Sequence, residues 1–186
     1  GASHFVEHLL FRGTRNHTSS GIDELFDSMG GAVDASTDRE GTLLLARVTD
    51  SDAEAAFALI AEMVVSPLLE SVDEEREVIL EELAMVEDDP SERLSEAMSA
   101  AVFGTDPLGA PVAGTPESVA SLNRRELQAF HRRAYVSGAI HPFAVGAVDR
   151  DHFRCMAEGA LSGVGIGPRP DPSVGQQGTP ASFLIE

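Results

Sequence analysis

Apolar positions recur at helical spacing along most of this chain, and two short alternating runs interrupt them. Phe5, Val6, Leu9 and Leu10 form the apolar side of a helix expected over residues 2–11 and ending near Gly13. Ser19 and Ser20 precede a second helix over 21–29, which Gly30-Gly31 stops. Residues 32–37 and 42–48 read as strands around the turn Asp38-Arg39-Glu40-Gly41. Ser51 opens a helix through Val65 that Pro67 ends, and Ser71 opens an acidic helix through Asp88. A further helix is expected over 91–103, followed by a Gly/Pro loop over 104–116. Asn123 caps a helix from Arg124 to Tyr135. Phe143–Val148 reads as a buried strand, and Asp151–Leu161 as a last amphipathic helix. Residues 162–180 turn to Gly, Pro, Ser and Gln, the composition of a linker, and 181–186 read as the start of a further strand. The fold class expected is α+β: a mixed or antiparallel sheet with helices packed on it, in one domain over residues 1–161.

Charge narrows the partners. Thirteen basic residues against 31 acidic ones give a formal charge of −18. Phosphates would be repelled, so neither nucleic acid nor an anionic membrane surface is expected as a partner. No apolar run reaches the length of a membrane span. A lone cysteine, Cys155, leaves no intramolecular disulfide and no cysteine-based zinc site.

The candidate chemistry sits in the first helix. His4 and His8 are four residues apart and share one helical face. Two imidazoles so placed can hold one metal ion at about 2.0–2.1 Å. Glu7 is one turn from His4 and beside His8, close enough to reach a metal-bound water without being a ligand. A catalytic zinc needs three protein ligands and an open position, and a neighbouring carboxylate can take the proton of its water. The third ligand is expected from a distant helix. Glu75-Arg76-Glu77-Val78-Ile79-Leu80-Glu81-Glu82 offers carboxylates in quantity, and Glu75 and Glu82, seven apart, project from one face. A solvated acidic face is the simpler reading of Glu74, Glu77 and Glu81.

These stretches resemble the catalytic N-terminal half of the pitrilysin/insulysin family of inverzincin metallopeptidases, which includes the mitochondrial processing peptidase and its bacterial relatives. The resemblance runs through Gly1–Thr14 with its core His4-Phe5-Val6-Glu7-His8, through Gly30–Thr37, Glu75–Glu82, Pro107-Leu108-Gly109, Gly114–Ser118 and Leu127–Tyr135, all in family order. It implies that His4, His8 and Glu82 bind Zn2+, that Glu7 is the general base, and that Glu75 is a carboxylate supporting the metal ligands. It also implies a substrate-pairing strand edge at Asp34, Ala35 and Ser36. The expected activity is zinc-dependent hydrolysis of peptides or unfolded proteins. Family members close over the substrate with a second homologous half, so such a half is an expected partner, in the same chain or a separate subunit. This sequence is read as a piece of a longer protein that lacks the family's first strands, working in a bacterial cytoplasm. Asp34 stands where many relatives have asparagine, Arg12 replaces the commoner lysine, and Ala139-Ile140-His141-Pro142 is more polar and broken than the family strand there.

A noncatalytic partner subunit or an inactive fragment of the same family is the alternative. Noncatalytic members typically lose a ligand or the glutamate, whereas all four positions are present here. His17, His131, His141 and His152 show no ligand spacing and read as surface or structural histidines. Cys155 reads as a buried inert thiol. Gly163–Gly167 has no lysine and Ser/Thr in phosphate-loop positions and is rejected as one.

Overall fold

The computed structural model describes residues 1–169. It is helix-rich, with eight α-helices and a two-stranded antiparallel sheet among these residues. In chain order these are α1 (Ala2–Leu10), α2 (Ser19–Ser28), β1 (Ala32–Thr37), β2 (Thr42–Arg47), α3 (Ala53–Val65), α4 (Val72–Asp88), α5 (Pro90–Phe103), α6 (Pro116–Ser121), α7 (Arg124–Ala134) and α8 (Arg150–Ala160).

The core forms around α1. Phe5, Val6, Leu9 and Leu10 are fully buried and pack in one cluster with Ile22, Leu59, Met63, Ile79, Val119 and Leu127. Burying side chains of this size is worth about 1.5–3 kcal/mol each, so α1 is the best-anchored element despite its position at the start. It touches α4, α7 and β1 at once. β1 and β2 form a hairpin in which Thr37 faces Thr42 and Ala32 faces Arg47. Val33, Leu44 and Ala46 pack on the core, while Asp34, Ser36, Leu43, Leu45 and Arg47 face outward. Gly30 and Gly31 make the entry to β1 possible. Gly30 has φ +61, and a Cβ on Gly31 would lie 2.6 Å from the Arg47 carbonyl.

Local signals set the helix ends. Asp89 accepts hydrogen bonds from the amides of Ser91 and Glu92, and Pro90 starts α5, so α4 and α5 break sharply between them. Asn123 and Glu126 form a capping box on α7. Thr115 and Ser118 form another on α6, a short helix that the expected loop did not include.

Two expectations fail. Phe143–Val148 is not a strand: Pro142 precedes it, Gly146 takes φ +138, and no neighbouring strand pairs with it among the described residues. Its Phe143 and Val145 are exposed. Cys155 is exposed rather than buried. α8 turns Ala157 into the core and sets Phe153 edge-on to Phe57 at 5.2 Å, which leaves Cys155 on the outer side of the helix. A thiol reagent is therefore expected to modify this cysteine in the folded protein, one per chain, with zinc content unchanged. Modification only after denaturation would show the thiol to be covered.

After α8, the chain runs beside the end of α7: Ser137 N–H donates to the Gly165 carbonyl at 2.9 Å and Gly138 N–H to that of Gly167 at 3.0 Å. The rest of the expected linker, from residue 170, and the expected strand at 181–186 lie outside the described residues.

Candidate metal centre

The side chains singled out in the two distant helices meet. A nitrogen of His4, a nitrogen of His8 and a carboxylate oxygen of Glu82 all lie within 4.8 Å of one another. His4 Nε2 and His8 Nε2 are 3.3 Å apart, and Glu82 Oε2 is 3.7 Å from the first and 3.4 Å from the second. α1 supplies the histidine pair from its one polar face. α4, about 25 Å long, runs past that face and supplies both carboxylates two turns apart.

Glu75 and Glu82 occupy different surroundings. Glu75 is 2% exposed, accepts a hydrogen bond from His8 Nδ1 at 3.1 Å and pairs with Arg12 through its other oxygen. Paired with a guanidinium, this carboxylate acts as an acceptor, so the His8 proton sits on Nδ1 and the Nε2 lone pair faces the cluster. Glu82 is 43% exposed and reaches the cluster from the solvent side. Burial first, then the nearby His8 and the amino terminus, lower the His4 pKa from 6.5 to about 4, so His4 is neutral at neutral pH. His4 Nδ1 is buried without a partner among the described residues, and no neighbour there fixes its tautomer.

The His8 lone pair, a Glu82 carboxylate oxygen and His4 Nε2 therefore converge on one point. With its free tautomer, His4 can turn a lone pair to the same point, where a cation would satisfy all three donors at once. The mix of two imidazoles and one carboxylate, with an exposed side left open, suits a divalent ion such as zinc.

Glu7 shares the polar face of α1 but reaches away from this cluster into a hydroxyl network. It is 8% exposed, and its Oε2 accepts a hydrogen bond from Thr37 Oγ1. Thr37 Oγ1 lies 2.9 Å from Thr42 Oγ1, which lies 3.3 Å from Ser3 Oγ. The Tyr135 hydroxyl is buried without a hydrogen-bond partner among the described residues, and burial pushes its pKa up to about 12. Sequence reasoning missed Thr37 and the hydroxyls behind it. Thr37 and Thr42 are 30 and 35 residues from Glu7 along the chain, and only the hairpin register brings them to it, while Ser3 lies one turn before Glu7 on α1.

The strand positions Asp34, Ala35 and Ser36 lie on β1, with Asp34 and Ser36 exposed. Asp34 Oδ1 accepts the Ala35 amide at 2.9 Å, so that donor already has an acceptor within its own strand. The remaining histidines stay outside the cluster. His131 Nε2 donates to the Val64 carbonyl at 2.9 Å and stacks on Tyr135, while His17 and His152 lie beside Glu62 and Glu54.

Residues 1–116 match the family described as Insulinase (Peptidase family M16). The chain belongs to this family. An uncharacterized zinc protease of Mycobacterium leprae is 42% identical over 153 residues, covering 81% of this chain and 34% of that protein. A Bacillus subtilis protein of the same description is 36% identical over 137 residues, 73% of this chain and 34% of its own length. The chain thus spans about a third of the length of these curated relatives. Its fold matches pitrilysin with a TM-score of 0.82 at 21% identity, covering 96% of this chain and 20% of that one. It also matches an inactive domain of a family M16 peptidase from Pseudomonas fluorescens, with a TM-score of 0.81 at 21% identity, 95% of this chain and 43% of that one. Peptidase domains with and without activity share this insulinase-family fold, so activity has to be argued from the site residues. No helix among the described residues is long and apolar enough to cross a membrane.

Proposed function

We propose that this chain is the catalytic domain, residues 1–161, of a zinc-dependent endopeptidase that hydrolyses peptides or unfolded proteins. The convergence of His4, His8 and Glu82 from two helices, with Glu7 on the same face as the histidines, carries the reading. His4, His8 and Glu82 hold the ion, and Glu75 fixes the His8 ring from behind. A zinc ion held there supplies a water of lowered pKa and a Lewis acid for the scissile carbonyl. Glu7 accepts the proton of the attacking water and passes it to the departing amine. The substrate lies extended along β1 at Asp34, Ala35 and Ser36, displacing the Asp34 carboxylate from the Ala35 amide.

The match covers only 34% of the length of the Mycobacterium leprae relative, which supports a second homologous half as partner in closing over the substrate. Solved relatives include a whole periplasmic protease and its first half, and the fold covers 95% of this chain in both. The exposed lone thiol of Cys155 suits a reducing compartment, and a bacterial cytoplasm is the location proposed.

The test is hydrolysis of fluorescein-labelled β-casein, an unfolded protein, by the full-length protein. Dialysis against a chelator is expected to abolish turnover, and stoichiometric zinc to restore it. Unchanged hydrolysis after metal removal would overturn the reading. Among noncatalytic alternatives, a partner subunit would bind zinc and casein without turning casein over.

A further inference from the structure

We propose that Thr37 is a positioning residue for Glu7, acting at the head of a hydroxyl chain that Thr42 and Ser3 complete. The inference rests on the reading of Glu7 as the proton acceptor and adds what holds it in place.

Donor accounting gives the chain a direction. An ionised carboxylate only accepts, so the single Thr37 hydroxyl proton goes to Glu7 Oε2. The contact of 2.9 Å between the two threonine oxygens then requires Thr42 to donate to Thr37. With its own proton used, Thr42 can only accept from Ser3 at 3.3 Å. The protons of Thr37, Thr42 and Ser3 all point toward Glu7. Donors lined up in this way polarise one another and bind a buried anion more firmly than a single hydroxyl does.

The fold places the head of the chain with little freedom. Thr37 and Thr42 are the closing pair of the β1–β2 hairpin. Asp38 Oδ1 accepts the amides of Glu40 and Gly41, both at 2.7 Å, and the Asp38 amide donates to the Gly41 carbonyl at 2.9 Å. Arg39 Nε donates to the Leu108 carbonyl at 2.8 Å and ties the turn to the loop before α6. β1 rests on α1. The turn thus sets the height of the threonine pair over the helix that carries Glu7. Fixing Oε2 stops the carboxylate from rotating and leaves Oε1 to meet the reacting proton. That alignment is where the benefit lies, because displacement of a reacting group by about 1 Å can cost on the order of 100-fold in rate.

The experiment uses the full-length zinc-loaded protein and labelled β-casein, comparing Thr37→Val, Thr37→Ser and Glu7→Gln. Valine keeps the shape and removes the hydroxyl. It is expected to lower kcat by about 10- to 100-fold, the worth of a hydrogen bond to a charged group, with KM and zinc content unchanged. Thr37→Ser should recover most of the loss. In the Glu7→Gln background, Thr37→Val should cost nothing further. Normal kcat in Thr37→Val alongside an inactive Glu7→Gln would overturn the positioning role and leave the base standing. An active Glu7→Gln would overturn the base itself. Loss in Thr37→Ser equal to that in Thr37→Val would mark the effect as structural and overturn the proposal. Should Thr37→Val fail to fold or lose zinc, Thr42→Val decides. It leaves Thr37 in place, so a several-fold fall in kcat supports the chain, and an unchanged kcat overturns it.

Discussion

Glu7→Gln in the full-length protein is expected to keep its zinc and lose peptide hydrolysis by roughly 10²- to 10⁴-fold. Glutamine preserves the size of the side chain and can still accept from Thr37, so the packing of α1 against β1 has no reason to change. The metal site is equally untouched, because its donor atoms come from His4, His8 and Glu82. What disappears is an acceptor for a proton at the reacting water. Because Glu7 is almost fully buried, no exposed carboxylate stands in the same place to substitute for it. Zinc content by elemental analysis and turnover of labelled β-casein, measured on the same preparation, separate the two roles. Near-normal turnover with full zinc would assign the base elsewhere.

The parts of this site that lie within one helix were legible in the sequence. Spacing alone places His4, Glu7 and His8 on a common face, and the apolar residues between them show which side the helix buries. The partnership of α1 with α4 was legible only through family order, since a seven-residue spacing makes Glu75 and Glu82 neighbours in direction without saying which of them meets a histidine. The structure separates them by burial and by company: Arg12 engages Glu75, while Glu82 stays half open to solvent. Residues 32–37 and 42–48 read correctly as a hairpin because turn chemistry and alternation are local signals. Phe143–Val148 failed for the converse reason. An apolar run is a strand only when another strand accepts its hydrogen bonds, and that condition is not written in the run. Cys155 failed because amphipathicity fixes the width of an apolar face but not the rotation of a helix about it. The hydroxyl chain behind Glu7 belongs to the same class of hidden information. Thr37 and Thr42 look like ordinary strand residues until the register puts them opposite each other above α1.

Substitution around the metal site should separate the three carboxylates and His8 by the size of their effect on zinc binding. Zinc held by protein ligands at neutral pH is worth on the order of 10 kcal/mol, so each of three donors carries roughly 3 kcal/mol, about 100-fold in affinity. His8→Ala is expected to lose at least this much, because it removes a donor and also strands Glu75, whose second oxygen then faces a cavity beside Arg12. Glu82→Ala removes a donor that is half exposed, so the fold should survive while zinc occupancy falls by a similar factor. Glu75→Gln tests the support rather than the donor. A glutamine can turn its carbonyl toward His8 Nδ1, but it gives up the charge that Arg12 compensates, and the expected loss of zinc affinity is smaller, about 10-fold and at most 100-fold. Glu7→Gln should lose none. The order Glu7, Glu75, then Glu82 and His8 follows from the distances alone: direct convergence of His8 and Glu82, one step removed for Glu75, and a separate network for Glu7. Competition against a chromophoric zinc chelator measures all four on one scale. Full zinc affinity in both His8→Ala and Glu82→Ala would place the metal elsewhere, and a Glu75→Gln loss exceeding that of Glu82→Ala would make Glu75 the third ligand.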